Sequence, residues 1–198
     1  MFKDFLDLIA LLNKHKAKYL VIGGYAVGYH AQARATKDLD ILILPAPKNA
    51  QAVFKALQEF GAPLRTKADP QDTDRFAAQR PLSPKDFEDE DSWFMMGTPP
   101  VAVDILAKIP GVVFNAAWKN RVTVTLDEQQ GITAQVISRD DLIAAKLASG
   151  RPQDLLDVEA IRRAQALAAQ EVTAPRNTPS PPKPRKTRKK KLQAKPRP

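Results

Sequence analysis

YLVIGGYAVGYHAQARATKDLDILIL, residues Tyr19 to Leu44, is the stretch whose reading decides the fold. An apolar run at Tyr19 to Ile22 breaks at Gly23-Gly24, a helix-compatible segment continues to about Gln32, and Asp38-Leu39-Asp40 leads into a second apolar run, Ile41 to Leu44. That order predicts a strand, a glycine turn, a helix and a second strand with two carboxylates at its mouth. Residues two apart in a strand share a face, so Asp38 and Asp40 should aim the same way. Like charges this close repel, and a cation between them is the usual remedy. Paired glycines let the backbone approach a ligand, and the helix opening behind them offers free N–H groups to an anion. One site for a metal ion and for phosphate is the expectation.

Working outward, Phe2, Phe5, Leu6, Ile9 and Leu12 fall at helical spacing and predict an amphipathic first helix over Phe2 to Asn13. Val53, Phe54, Leu57 and Phe60 do the same for Lys48 to Phe60, which stops at Gly61 and serves as a right-handed crossover to a later strand. The polar, proline-bearing segment Thr66 to Asp91 reads as a mobile surface loop, and Trp93 to Met96 as a short strand. Val101 to Leu106, VAVDIL, is an apolar strand with a carboxylate in its middle. Burying that group is costly unless a metal, an arginine or hydrogen bonds compensate it, which makes Asp104 a third candidate acid. The bland alternative is the solvated end of an edge strand.

Farther on, residues 110–121 predict a turn and short helix packed by Phe114 and Trp118, and Arg121 to Thr125 and Ile132 to Ile137 predict two strands. Ser138 can cap a helix ending at Gly150, and Pro152 opens another running to about Gln170. That boundary gathers Lys146, Arg151, Asp154 and Asp157. Attraction to a helix start explains Asp154 alone, but explains Lys146 and Asp157 less well. His30 reads as a packing residue, and Arg34, just ahead of Thr36 and the acid pair, either meets phosphate or pairs with a carboxylate.

Composition bounds the rest. A chain of 198 residues without cysteine suits one cored domain plus tails in a reducing compartment, with no thiolate chemistry. Asp4 and Asp7 interrupt any signal-peptide core and no run is long enough to span a membrane, so a soluble cytoplasmic protein is expected. Ten of the 31 Lys and Arg lie between Val172 and Pro198, where there is no acid, which leaves 21 bases against 22 acids before them. The expected division is therefore a domain over residues 1–171 and a disordered Pro/Lys/Arg-rich tail over 172–198. Such a tail would hold RNA, DNA or an acidic partner in a salt-dependent way, or merely solubilise the chain.

Gly23-Gly24, Asp38-Leu39-Asp40, Asp104 and the Lys146 to Asp157 block, in that order, resemble the nucleotidyltransferase superfamily that includes DNA polymerase beta. MGTPPVAVDILAKIPGVVFNAAW and ISRDDLIAAKLASGRPQDLLDVEAI look like its bacterial branch related to abortive-infection toxins. The resemblance covers roughly Tyr19 to Leu167. It implies an α/β (α+β) minimal nucleotidyltransferase fold, a small mixed sheet backed by helices with the acids at its edge and helices at the C-terminus. It further implies Mg²⁺, or Mn²⁺, on Asp38, Asp40 and Asp104, with Asp104 completing the metal site or assisting deprotonation. An NTP would be held by Gly23, Gly24, Arg34, Thr36, Lys146, Arg151 and Asp157. One departure is Gly24, where the superfamily commonly has a serine that contacts phosphate; the backbone N–H remains. The implied activity is nucleotide transfer from an NTP to a hydroxyl of RNA, such as tRNA, or of a protein, within a toxin-antitoxin or phage-defence system. The alternative is a catalytically degenerate scaffold that binds RNA or a cognate toxin or antitoxin partner.

Overall fold

The apolar run before the glycines forms strand β1 (Tyr19–Val21), and the run behind the acids forms β2 (Asp38–Ile43). They pair antiparallel, Val21 opposite Ile41, and the ladder extends to an Ile22 N–H that donates to the Asp40 carbonyl at 3.0 Å. Gly23 is thereby set against Asp40. The computed structural model describes residues 3–32, 36–61, 64–66, 82–98 and 101–173.

Five more strands complete one mixed sheet: β3 (Leu64–Thr66), β4 (Trp93–Thr98), β5 (Val101–Leu106), β6 (Val122–Asp127) and β7 (Ile132–Val136). Their order is β3-β4-β5-β2-β1-β7-β6, with β2 parallel to β5, β1 parallel to β7 and the other neighbours antiparallel. Central β2 is covered on both faces, and Leu39, Ile41, Leu42 and Ile43 are all buried, which is why its sequence reads as a nearly unbroken apolar run. Each such side chain contributes roughly 1.5–3 kcal/mol by leaving water.

The helices are α1 (Lys3–Lys14), α2 (Gly23–His30), α3 (Pro47–Phe60), α4 (Phe114–Asn120), α5 (Arg139–Ser149) and α6 (Pro152–Thr173). Helix α1 buries Phe5, Leu8, Ile9 and Leu12 against α3 and β7, with Leu8 rather than Leu6 on the inner face. Helix α3 ends at Gly61, whose φ of +76° continues the chain where a side chain would be strained. Ser138 Oγ accepts the Asp141 N–H at 3.2 Å to start α5, and Gly150, φ +66°, ends it. The Gly150 break turns the chain sharply, so α6 packs back against both α5 and α2.

Three expectations are corrected. The acids do not lie at the sheet's edge: β2 is the middle strand and β5 its neighbour. For the same reason Asp104 is not at the end of an edge strand, since β5 is hydrogen-bonded on both sides. Nor is all of Thr66 to Asp91 surface loop. Residues Pro84–Glu88 form a 3-10 turn capped by Ser83, and Phe87 is fully buried against Phe94, centroids 4.4 Å apart, and Phe54. Two aromatics, Phe76 and Phe87, eleven positions apart in a polar run give no periodicity to detect. Residues 67–81 of that segment and the basic tail beyond Thr173 lie outside the described residues. Among the described residues no helix is long and apolar enough to cross a membrane.

Candidate active site

Parallel pairing of β2 with β5 puts Asp40 directly opposite Asp104. Paired residues in adjacent strands point to one face about 4.8 Å apart, and Asp38 shares that face two residues along. All three carboxylates line a cavity of about 570 Å³ at the end of the sheet where β1 gives way to α2. Burial, then the Asp104 carboxylate beside it, then Asp38 push the Asp40 carboxyl up to about 6, against the opposing pull of the Gly24 N–H and Lys146. An acid this reluctant to ionise marks a place where anions have been crowded together.

The glycine turn shapes this crowding. Gly23 has φ +59°, and a Cβ on it would lie 1.8 Å from Asp40 Oδ2, so the carboxylate occupies the space a side chain would need. Gly24 donates its backbone N–H to the same carboxylate. Part of what the expectation assigned to phosphate, the two glycine amides, is thus spent on seating Asp40. A Cβ on Gly24 would lie 2.4 Å from Thr36 Oγ1 and 2.8 Å from Thr36 Cβ. Threonine 36 therefore fills the volume of a residue-24 side chain and brings a hydroxyl to the cavity wall, its bond to the Asp38 carbonyl a long 3.4 Å.

Opposite the acids stands the Lys146 cluster. Lys146 Nζ, with its side chain 8% exposed, is 2.7 Å from both Asp154 Oδ1 and Asp157 Oδ2. Arg151 reaches Asp154 with Nε at 2.6 Å and a second nitrogen at 3.3 Å, while its side chain stays 74% exposed. Burial works against the Asp154 anion, but hydrogen bonds from Arg151, Lys146 and Ser149 outweigh it and hold the carboxyl well below the usual range. Asp157, 2% exposed, also accepts from Gln153 at 3.0 Å and is absent from the cavity wall. Its contact is with Lys146 rather than with the cavity, and Asp154 is a ligand of the cluster, not only an acid at a helix start.

Lys146, Arg151, Asp154, Thr36 and both glycines line the cavity together with the three acids. Arg34 lies outside the described residues. Sequence reasoning missed Trp93 and Lys108 on the wall. Trp93 reaches the wall because β4 pairs with β5, the strand that carries Asp104, and nothing in the sequence signalled either residue.

A family model described as nucleotidyltransferase of unknown function (DUF6036) matches residues 2–172. The chain belongs to this nucleotidyltransferase family. No curated protein matches it. Similar solved structures include the lincosamide antibiotic adenylyltransferase LnuA with lincomycin bound, at 14% identity and TM-score 0.49, covering 83% of this chain and 98% of that one. Another is the solution structure of the antibiotic-resistance factor ANT(2'')-Ia, at 13% identity and TM-score 0.47, covering 86% of each chain.

In this nucleotidyltransferase the donor set on the acid face suits a hard divalent cation: three carboxylates, no sulfur and no imidazole. The raised Asp40 carboxyl points the same way, since a cation would relieve the repulsion that raises it. As the side chains stand, no three acids or imidazoles among the described residues already close into a ligand sphere.

Proposed function

We propose that the protein transfers a nucleotidyl group from a nucleoside triphosphate to a hydroxyl of RNA, with Mg²⁺ or Mn²⁺ held by Asp38, Asp40 and Asp104. The observation that carries this reading is the register of Asp40 against Asp104 beside the glycine turn, with cationic groups across the same cavity. The acceptor oxygen bonds to the α-phosphorus as its proton passes to Asp104, and the bond from that phosphorus to the pyrophosphate oxygen breaks. Asp38, Asp40 and Asp104 would hold the cation, which would supply Lewis-acid charge to offset the negative charge that builds up in the transfer. Lys146 and Arg151 counter the triphosphate's charge, Lys146 as a fixed point charge locked by Asp154 and Asp157, and Arg151 as a mobile fork that can leave Asp154. The Thr36 hydroxyl adds a neutral donor beside the glycines. Trp93 gives the base an aromatic face, an interaction of about 1–3 kcal/mol.

The test is incubation with each α-³²P-labelled NTP, Mg²⁺ and total RNA. Labelled RNA is expected from the wild type, with a loss of at least 100-fold in Asp38→Ala and Asp104→Asn. Label on protein alone would move the acceptor from RNA to polypeptide, and equal labelling by the variants would remove the acids from the chemistry.

A further inference from the structure

A second cavity, about 660 Å³, opens at the other end of β1 and β2. Leu44 and Ala46 in its wall follow β2, and Lys18 precedes β1, whereas the candidate active site meets β1 at its far end. From Asp40 to Leu44 is four residues of strand, about 13 Å. Five lysines line this second cavity, Lys14, Lys16, Lys18, Lys48 and Lys55, together with His15. The acid that answers any of them among the described residues is Glu59, which pairs with Lys14 and with His15 at 2.8 Å. The wall of the first cavity thus mixes carboxylates with Lys108, Lys146 and Arg151, whereas the wall of the second carries lysines and no carboxylate.

Two features show that the lysine end is held in place. Asn49, buried, accepts the Lys18 N–H at 2.6 Å and donates to the carbonyls of Lys18 and Leu44 at 3.0 and 2.9 Å, tying the start of β1 to the end of β2. Lys16 takes φ +57°, the one positive φ outside glycine among the described residues. Its N–H donates to the Asn13 carbonyl and the next N–H, of Ala17, to the Leu12 carbonyl, the two bonds of a Schellman helix end. Glycine is the favoured residue at that position, and a side chain there is strained. A lysine where glycine would be more stable, in a wall shared with four other lysines, points to a ligand that needs its charge.

We infer that this cavity binds the phosphodiester backbone of an RNA strand. Ammonium groups act as point charges toward phosphate, and no aromatic residue in the wall offers a base a stacking face. The choice of RNA rests on the proposed function, but the measurement reads binding without turnover, so either can fail alone.

The test uses the full-length chain and a fluorescein-labelled single-stranded RNA 20-mer, with anisotropy followed over a KCl series. Each phosphate contact to a single strand contributes about 0.7 to the slope of log affinity on log salt. Lys16→Gly is expected to lower that slope by about 0.7 while its unfolding midpoint stays level or rises. The Lys16→Gly, Lys48→Ala, Lys55→Ala triple variant should lower it by about 2. Glu59→Gln, which frees Lys14, should raise affinity. A triple variant with the wild-type slope and a wild-type unfolding midpoint would assign all RNA contact elsewhere and overturn the inference. So would an unchanged RNA slope accompanied by loss of binding to phosphatidylserine vesicles, which would assign the lysines to a membrane surface.

Discussion

Asp40 is buried beside the carboxylates of Asp104 and Asp38, and its titration has a definite sign. Its folded carboxyl is raised to about 6, above the ordinary 3.8, so between those values the folded chain keeps a proton that the unfolded chain has lost. Stability from this group is complete below about pH 4 and is lost as pH rises through 6, by about 3 kcal/mol. In EDTA at pH 8, Asp40→Asn should therefore unfold at a higher temperature than the wild type, and at pH 4 the two should coincide. Equal midpoints at pH 8, measured by circular dichroism, would mean the carboxylate is not held against its neighbours. Gly23→Ala carries the opposite expectation: its new methyl meets Asp40 Oδ2, so NTP affinity should fall more than tenfold in a fluorescent-nucleotide titration, with a lower midpoint. Gly24→Ser should be destabilised by Thr36 and relieved by a second change, Thr36→Gly, with a coupling of about 0.5–3 kcal/mol.

At the scale of elements, the α5–α6 corner separates structure from binding. Removing Asp154 strands a buried Lys146 beside Asp157 alone, and Asp154→Ala should cost about 3 kcal/mol in urea unfolding. Arg151→Ala should cost under about 1 kcal/mol because its side chain is mostly in water, yet weaken NTP binding. Similar losses of stability in both would refute the division. This corner also shows what the sequence can carry. Lys146, Arg151, Asp154 and Asp157 were legible as a group because Gly150 and Pro152 fix the break between their helices. Which carboxylate faces the cavity was not legible, because helix phase places Asp154 and Asp157 on one side, equally buried, without saying which turn of α6 abuts the cavity. The strand acids were easier, since period two leaves a choice of only two faces. Phe87 packs on Phe54 of α3 and Trp93 shares a wall with Asp38 and Asp40, partners distant in sequence, so no local pattern encodes either.

For the whole molecule, excess charge and fold are separable. The last 25 residues, 174–198, hold ten Lys and Arg. A chain ending at Thr173 is expected to keep the full-length unfolding midpoint while losing much of its salt-dependent RNA affinity, with the remainder carried by the lysines of the folded domain. A midpoint several degrees lower, by scanning calorimetry, would show that the tail packs on the domain.

The pairing of β2 with β5 also fixes when the protein becomes competent during synthesis. Asp40 and Asp104 are neighbours in space but 64 positions apart in the chain, and Lys146 comes later still. A ribosome must release the β5 segment before the acid trio exists, and the α5–α6 corner before any counter-charge faces it. Until both segments have emerged, the nascent polypeptide carries the glycine turn and Asp40 with neither the partner acid nor the counter-charge of the folded cavity.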